Sequence, residues 1–141
     1  MTPEELAALH ALCFNTAPRP WSASEFADLL SQPANLLFTR PGGFAVLRLS
    51  GPEAELLTLA VDPERRREGT GAALVADVLD GARSNGAVEI FLEVAETNAP
   101  AHTLYKKQGF EATGYRKDYY RSPRGEKVTA IVMRRGLTAD E

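Results

Sequence analysis

Three polar side chains in the second half of the chain have a spacing that would suit proton transfer. Glu93 lies in an otherwise apolar, strand-like segment at 88–94, and a carboxylate can accept a proton. Asn98 and Tyr105 follow on a predicted helix, at its first turn and about two turns further on, so both can reach the same crevice as Glu93. A tyrosine with its ordinary pKa near 10 stays protonated at neutral pH and can donate. The three residues therefore make a plausible site at this crevice, with a solvent-facing strand residue as the alternative interpretation of Glu93.

A glycine-rich loop earlier in the chain has the pattern of an anion-binding site. The apolar segment 56–61 breaks at Asp62-Pro63, and the loop 66–71 leads into apolar residues with helical spacing. The first turn of a helix has unpaired amides and a partial positive charge, and Gly69 and Gly71 would let the backbone approach a bulky anion. The spacing fits neither the dinucleotide-binding nor the P-loop glycine pattern. The loop predicts another kind of phosphate or pyrophosphate site, with an ordinary solvated connection as the alternative.

The composition narrows the class of protein. The chain has 141 residues, 44% of them hydrophobic and 25% charged, which predicts one globular domain spanning 1–141. It has neither an apolar run of the roughly 18 residues that a membrane span needs nor a signal pattern, so we expect a cytoplasmic protein that does not bind membranes. The net charge of -3 argues against direct nucleic-acid binding. Cys13 is the only cysteine, so we expect packing rather than a disulfide or a metal site there. We expect a monomer or a weak dimer.

Caps and apolar spacing predict the elements that position these residues. Capping boxes at Thr2 and Ser22 start the first two helices, and His10 on the first is expected to be a half-buried packing residue. The strands at 56–61 and 88–94 are joined by a helical crossover and should be parallel, with a crevice at their carboxyl ends. The fold class is α/β with a mixed sheet. We expect helices at 3–14, after Ser22, at 70–84 and at 98–108, and strands at 36–40, 44–49, 56–61, 88–94, 111–119 and 128–134.

Together these features resemble the acetyl-CoA site of the GCN5-related N-acetyltransferases, the GNAT family. The resemblance rests on the loop 66–71, on Leu92-Glu93-Val94, and on Asn98 and Tyr105 with Gly109-Phe110 after their helix. It implies a GNAT-like acyl-CoA N-acyltransferase fold with six to seven strands, helices on both sheet faces, and acetyl-CoA as cosubstrate without a metal. It also implies that Glu93 is the general base and Tyr105 the general acid. The implied cofactor-binding residues are Leu59, Ala60 and Val61 along the pantetheine arm, Arg67, Glu68, Gly69, Thr70, Gly71 and Ala72 around the pyrophosphate, and in addition Arg66 and Asn98.

Further residues resemble one branch of the family, the bacterial enzymes that acetylate the N-termini of ribosomal proteins. These residues are Pro20-Trp21-Ser22, the strand end at 59–63, and Tyr119-Tyr120. The implied reaction is direct transfer of acetyl, in a ternary complex, to the N-terminal α-amine of a protein such as a ribosomal protein. An α-amine with a pKa near 7.8 requires about 3.5 kcal/mol less to deprotonate than a lysine side chain with a pKa near 10.4.

Two departures from the family pattern leave questions open. The chain begins in a helix, so the strand that opens most of these folds is missing and six strands are expected. The segment 121–128 is net basic where the family usually has acidic residues, which leaves the acceptor open. A small-molecule amine, an amino acid or a lysine side chain is an alternative acceptor. A non-catalytic acyl-CoA-binding module is a remote alternative to an enzyme.

Overall fold

The structure is a computed structural model that describes residues 1–14, 19–66, 68–121 and 124–137. In these ranges it contains four α-helices and six strands, which confirms the predicted mixed α/β architecture. In the same ranges, no helix is long and apolar enough to cross a membrane. The helices are α1 (Pro3–Cys13), α2 (Ala23–Leu30), α3 (Thr70–Ser84) and α4 (Ala99–Lys107). The strands are β1 (Asn35–Arg40), β2 (Gly43–Ser50), β3 (Glu53–Val61), β4 (Glu89–Ala95), β5 (Glu111–Arg121) and β6 (Lys127–Gly136).

The two N-terminal helices begin at the predicted capping boxes. The Thr2 hydroxyl accepts a hydrogen bond from the Glu5 amide at 3.1 Å, and the Glu5 carboxylate accepts one from the Thr2 amide at 3.0 Å. Ser22 and Glu25 repeat the arrangement at the start of α2. Each box pairs amides that the first turn would otherwise leave unpaired, and so fixes where the helix begins.

The six strands form one mixed sheet in the order β1-β2-β3-β4-β6-β5. Neighbouring strands are antiparallel except β3 and β4, which are parallel as predicted. Helix α3 connects these two strands, because parallel strands need a crossover rather than a tight turn. The first hairpin is tighter than expected, since β2 begins at Gly43 and only Pro41-Gly42 form the turn.

Helices cover both faces of the sheet, as predicted. Helices α3 and α4 pack on one face, over a core that includes Leu56, Leu92 and Met133, none of which is more than 3% exposed. Helices α1 and α2 pack on the other face, around a second core that includes Phe44. Burial of apolar side chains on both faces holds the sheet in place. Side chains alternate along a strand, so Glu93, next to buried Leu92, points toward the face where α1 and α2 pack.

A β-bulge in β3 shapes the centre of the sheet. Leu57 is the extra residue between Leu56 and Thr58, which pair with consecutive residues of β2. A bulge bends its strand and increases the local twist. The parallel ladder between β3 and β4 ends at Leu56 and Leu92, and the two strands part beyond this point. The sequence predicted neither this bulge nor the start of β3 at Glu53, because both depend on how β3 pairs with β2.

The last hairpin also contains an irregularity that was not predicted. Arg116 pairs with Ala130 and Tyr120 pairs with Val128, so three residues of β5 lie opposite one residue of β6. Asp118 lies in this bulge with a positive φ of 55°. Residues that pair across strands point to the same face, so Arg116 and Tyr120 share one face of the sheet. Strand β5 continues past the bulge to Arg121, two residues beyond its predicted end at residue 119.

Candidate active site

The parting of β3 and β4 opens a cavity within the sheet. Its volume of about 740 Å³ is in the range of ~300–1,000 Å³ that is typical of ligand pockets. The carboxyl ends of both strands line it, as expected for a crevice in an α/β sheet. The predicted site residues on its walls are Leu59, Ala60, Val61, Arg66, Gly69, Thr70, Gly71, Ala72, Glu93, Asn98 and Tyr105. Their placement agrees with the predicted site, and their individual roles stay predictions.

The amino end of α3 contributes an anion-binding surface to the cavity. Gly69 is the N-cap residue, with a φ of 80° and no side-chain hydrogen bond to the helix. A side chain is rarely tolerated at this φ, and glycine cannot cap the first amides. The amides of the first turn, from Thr70 onward, are therefore available to a ligand, and the helix dipole adds partial positive charge. The local geometry suits a phosphate or pyrophosphate.

Gly71 makes room for a neighbouring helix. A Cβ at this position would lie 3.1 Å from Cδ2 of Leu104 on α4 and 3.8 Å from Cγ2 of Val61. Glycine therefore lets α3 pack closely against α4. At Gly69, in contrast, a Cβ would have no neighbour within 4 Å. Gly71 thus has a packing role that the sequence did not indicate, and the expectation that both glycines let the backbone approach an anion stays a prediction.

The charged residues of the loop divide between the cavity and the surface. Arg66 lines the cavity as predicted, and Arg65, which was not predicted, lines it too. Glu68 is exposed and forms an ion pair with Arg65, with 3.4 Å between Oε1 and Nη2. The Glu68 side chain is thus directed to a loop contact instead of the cavity. Arg67, also predicted to contact the cofactor, lies outside the described residues.

The end of β3 presents its backbone to the cavity. Beyond Leu56 the edge of β3 that faces β4 has no strand partner in the described sheet, so peptide groups at Leu59 and Ala60 border open space. The carbonyl of Val61 is already engaged, because the Cys13 thiol donates a hydrogen bond to it at 3.2 Å. Burial raises the pKa of this thiol, which favours the protonated, donating form. Cys13 is therefore a packing residue that anchors α1 to β3, as expected.

Glu93 is a largely buried carboxylate with a cation beside it. Its side chain is 14% exposed, and Nε of Arg116 lies 2.9 Å from Oε1. Burial raises the pKa of Glu93, while the nearby Arg116 lowers it and Glu55 raises it, with a net upward shift. The solvent-facing interpretation of Glu93 is therefore wrong for this structure. No local pattern in the sequence predicts the pair with Arg116, because strand order alone brings the two residues together.

Two phenols lie in the cavity, Tyr105, which is buried, and Tyr120, which is half-buried. Tyr105 on α4 is 7% exposed, and both it and Tyr120 of β5 line the cavity. Burial raises the pKa of Tyr105, and the nearby Tyr120 raises it further. Burial also raises the pKa of Tyr120, with Glu93 adding to the shift. Both phenols stay protonated at neutral pH and can donate. The sequence pointed to Tyr120 only through the family resemblance of Tyr119-Tyr120, and its place in the cavity follows the β5 bulge, which no local pattern predicts.

Asn98 is the N-cap residue of α4. Its Oδ1 accepts a hydrogen bond from the Ala101 amide at 3.3 Å, which is the ordinary role of asparagine at this position. The residue also lines the cavity. Because the cap uses only Oδ1, the amide nitrogen can still donate to a ligand. The cap is observed, and the cofactor contact stays a prediction.

His10 connects α1 to the cavity wall and is more deeply buried than expected, at 1% exposed. The Trp21 amide donates a hydrogen bond to Nδ1 at 3.1 Å. Nε2 therefore carries the proton and donates to Oγ1 of Thr58 at 3.0 Å. Burial lowers the pKa of His10 to about 4, so the ring is neutral at pH 7. This chain of hydrogen bonds fixes Trp21 and Thr58, both of which line the cavity.

These residues give the cavity two chemical capacities. The amino end of α3 can hold an anionic group, and Glu93 and Tyr105 can accept and donate a proton. In the described part of the chain, no cluster of His, Cys, Asp and Glu side chains could hold a metal ion. The cavity thus combines an anion site with groups for proton transfer.

Comparisons with known proteins agree with this chemistry. Residues 5–110, more than half of the chain, match the Acetyltransferase (GNAT) family. The chain is 35% identical over 118 residues to the ribosomal protein bS18-alanine N-acetyltransferase (RimI) of Escherichia coli strain K12, covering 81% of this chain and 79% of that enzyme. The crystal structure of the Escherichia coli enzyme matches with a TM-score of 0.80 at 32% identity, over 95% of this chain and 88% of that chain. A mycothiol acetyltransferase of Clavibacter michiganensis is 32% identical over 130 residues, which cover 84% of this chain but 42% of that protein.

Proposed function

Because the chain belongs to the Acetyltransferase (GNAT) family and is an acetyl-CoA-dependent N-acetyltransferase, we propose that it acetylates the N-terminal α-amine of a protein, with a ribosomal protein as the leading acceptor. The observation that carries this proposal is the 35% identity to bS18-alanine N-acetyltransferase, which extends over 81% of this chain. The predicted family and enzyme class are confirmed. A cytoplasmic location is part of the proposal, because ribosomal proteins are made in the cytoplasm.

The cavity fits acetyl-CoA as cosubstrate. The uncapped first turn of α3 suits its pyrophosphate, and the unpaired edge of β3 suits the amide groups of its pantetheine arm. When bound, acetyl-CoA supplies the acetyl group as a reactive thioester. We assign the pyrophosphate to the backbone from Gly69 to Ala72 and the pantetheine arm to 59–61. Arg66 and Asn98 are assigned as further contacts, because both line the same cavity.

Glu93 is assigned as the group that takes the proton from the acceptor amine. An amine attacks a thioester only in its neutral form, so an acceptor that binds as an ammonium must lose a proton. Glu93 lies on the cavity wall and can take this proton directly or through one water. Burial, which raises the pKa of Glu93, makes its carboxylate a stronger base than that of an exposed glutamate.

Tyr105 is assigned as the group that protonates the departing sulfur. Its pKa is raised by burial, so the phenol holds its proton until negative charge develops nearby. Tyr120 is a second phenol in the same cavity, and the nearby Glu93 adds to the rise of its pKa, which supports an assignment of Tyr120 to the acceptor side. We therefore assign donation to the sulfur to Tyr105 alone and give Tyr120 a role in orienting the acceptor.

The acceptor side of the cavity favours an extended peptide N-terminus. Trp21 and Tyr120 line the cavity together with Glu93. The segments that contain Trp21 and Tyr120 are also those by which the sequence resembles N-terminal acetyltransferases. A peptide that enters between them would bring its α-amine to Glu93. Such an amine also requires about 3.5 kcal/mol less than a lysine side chain to become neutral.

One observation favours a second candidate, acetylation of a small-molecule amine. The mycothiol acetyltransferase relative is 32% identical over 130 residues, although this chain matches only 42% of its length. A volume of about 740 Å³ would accommodate a small amine beside the cosubstrate as well as a peptide end. The two candidates share the cofactor site and Glu93, and they differ only in the acceptor.

Acceptor competition tests the proposed function. We would measure release of free CoA from acetyl-CoA with an Ala-starting peptide, the same peptide with a blocked N-terminus and an internal lysine, and spermidine. We expect the free-N-terminus peptide to react fastest at pH 7. Faster transfer to spermidine or to the blocked peptide would overturn the N-terminal proposal. The Glu93→Gln variant serves as the control, because it measures the release of CoA that does not depend on the proposed base.

A further inference from the structure

Arg116 reaches Glu93 across an intervening strand. Glu93 on β4 pairs with Val132 of β6, and Arg116 on β5 pairs with Ala130 of β6. Val132 and Ala130 are two positions apart on the same strand, so Glu93 and Arg116 lie on one face of the sheet. The Arg116 side chain spans the gap and brings Nε to 2.9 Å from Oε1 of Glu93. The pair therefore joins the wall of the cavity to the edge strand of the sheet.

The surroundings of Glu93 oppose its charge except at Arg116. Burial raises the pKa of Glu93, Arg116 lowers it, and Glu55 of β3 raises it. Glu55 is itself paired with Arg48, at 2.6 Å between Oε1 and Nη2, which offsets part of its charge. The half-buried phenol of Tyr120 on β5 is near enough for the charge of Glu93 to raise the pKa of the phenol. Among the described residues, Arg116 is thus the cation that favours the carboxylate form.

We propose that Arg116 is a positioning residue that keeps the buried Glu93 carboxylate ionised and fixes its Oε1, leaving Oε2 for the acceptor amine. This proposal rests on the assignment of Glu93 as the base. A protonated Glu93 has no capacity to accept a proton from the acceptor. Without Arg116, burial and the charge of Glu55 would shift Glu93 toward that inactive form.

The β5 bulge holds Arg116 in place. Cζ of Arg116 lies 5.2 Å from the centroid of the Tyr119 ring, within the range of a cation-π contact. The Asp118 amide donates a hydrogen bond to Oγ1 of Thr129 at 3.3 Å and so fixes the bulge that carries Tyr119. The Arg116 side chain is nevertheless 55% exposed. Salt should therefore weaken its effect on Glu93, which allows a test in the unaltered protein.

A carboxyl titration tests the proposal. We would label the full chain with ¹³C at glutamate carboxyl carbons, assign the Glu93 signal from its loss in Glu93→Gln, and record its chemical shift against pH. In Arg116→Gln we expect the titration midpoint to rise by about one pH unit, because an opposite charge at this distance is removed. Arg116→Lys should keep most of the wild-type midpoint.

Arg134→Gln is the matched control. Arg134 also lies at an ion-paired position on this sheet, where it contacts Glu89 at 2.6 Å, Glu53 at 3.2 Å and the ring of Phe91. Its loss should leave the Glu93 midpoint unchanged. In the wild-type chain, 1 M KCl should raise the midpoint, so the salt titration decides the matter if Arg116→Gln does not fold. An unmoved midpoint in Arg116→Gln, the same rise in Arg134→Gln, or no response of the wild type to salt would overturn the proposal.

Transfer rates separate this proposal from the assignment of the base. We would divide each rate by the concentration of neutral acceptor amine at each pH, which removes the titration of the acceptor from the profile. The acid limb of the corrected profile should move with the Glu93 midpoint in Arg116→Gln. If the midpoint moves while Glu93→Gln transfers acetyl at the wild-type rate, the assignment of Glu93 as base fails and the electrostatic effect of Arg116 stands.

Discussion

Replacing Tyr105 with phenylalanine should slow acetyl transfer without disturbing the fold. The ring packs edge-to-face against Phe110, with 5.8 Å between centroids, and phenylalanine keeps this contact. Within the described residues the Tyr105 hydroxyl has no hydrogen-bond partner, so its removal leaves no buried donor or acceptor unpaired. The free energy of unfolding should therefore change by less than about 1 kcal/mol.

The expected loss of activity is much larger than the loss of stability. A positioned proton donor typically contributes about 10²- to 10⁴-fold to a rate, which corresponds to about 2.7–5.5 kcal/mol of transition-state stabilisation. The donor acts only as negative charge develops on sulfur, so kcat should fall by at least about 100-fold while the dissociation constant for acetyl-CoA stays within about twofold. Single-turnover transfer under chemistry-limited conditions measures the first quantity, and calorimetry measures the second.

Tyr120→Phe is the matched control for Tyr105→Phe. Tyr120 is the other phenol of the cavity, and burial raises its pKa too, but Tyr120 is only half-buried and is assigned to the acceptor side. We expect this variant to raise KM for the acceptor more than it lowers kcat. A single-turnover rate for Tyr105→Phe within about threefold of wild type would refute the reasoning and leave Tyr105 as a packing residue. A larger loss in Tyr120→Phe would move the donor role to Tyr120.

Three further predictions concern the cofactor site, the buried histidine and the base. Gly69 and Gly86, at the two ends of α3, have φ values of 80° and 85° and open space around a Cβ, so alanine at either position should lower the free energy of unfolding by ~1–2 kcal/mol. In calorimetry, Gly69→Ala should weaken acetyl-CoA binding, whereas Gly86→Ala should leave it unchanged. Equal acetyl-CoA affinity in both variants would place the pyrophosphate elsewhere. His10 has a folded-state pKa of about 4 against an ordinary value of 6.5, so the unfolded chain binds a proton first and stability is lost as pH falls from 6.5 toward 4. Urea unfolding should show that the free energy of unfolding falls by about 2 kcal/mol between pH 7 and pH 5. The His10→Asn variant, though less stable at pH 7, should lack this fall. An equal fall in that variant would contradict the assignment of the pH dependence to His10. Glu93→Gln should reduce transfer at pH 7 while acetyl-CoA affinity is retained, and wild-type rates in this variant would remove Glu93 from the mechanism.

Features set by local sequence could be predicted well. The starts of α1 and α2 follow from the capping boxes at Thr2 and Ser22, and α3 was predicted at its observed bounds, Thr70–Ser84. The loop before α3 and the positions of Glu93 and Tyr105 on their elements follow from the spacing of apolar residues. Caps, glycines and periodicity act over a few residues, so one sequence is enough to locate them.

Features set by strand register could not be predicted. The bulge at Leu57, which parts β3 from β4, depends on how β3 pairs with β2. The contact of Gly71 with Leu104 depends on the packing of α3 against α4. The pair of Glu93 with Arg116 requires that β6 lies between β4 and β5, an order that no local pattern encodes. All three unpredicted features are contacts between distant segments. One of them is the contact of Arg116, the residue proposed to keep the base ionised.

The most direct test of the central claim is a single peptide that carries both kinds of amine. An Ala-starting peptide with a free N-terminus and one internal lysine would be incubated with the enzyme and acetyl-CoA at pH 7, and tandem mass spectrometry would locate the acetyl group. The reference pKa values make the neutral fraction of the α-amine about 300-fold larger than that of the lysine. We predict at least about ten acetyl groups on the α-amine for each one on the lysine. Equal labelling of both sites, or a preference for the lysine, would contradict N-terminal acetylation as the function of this enzyme.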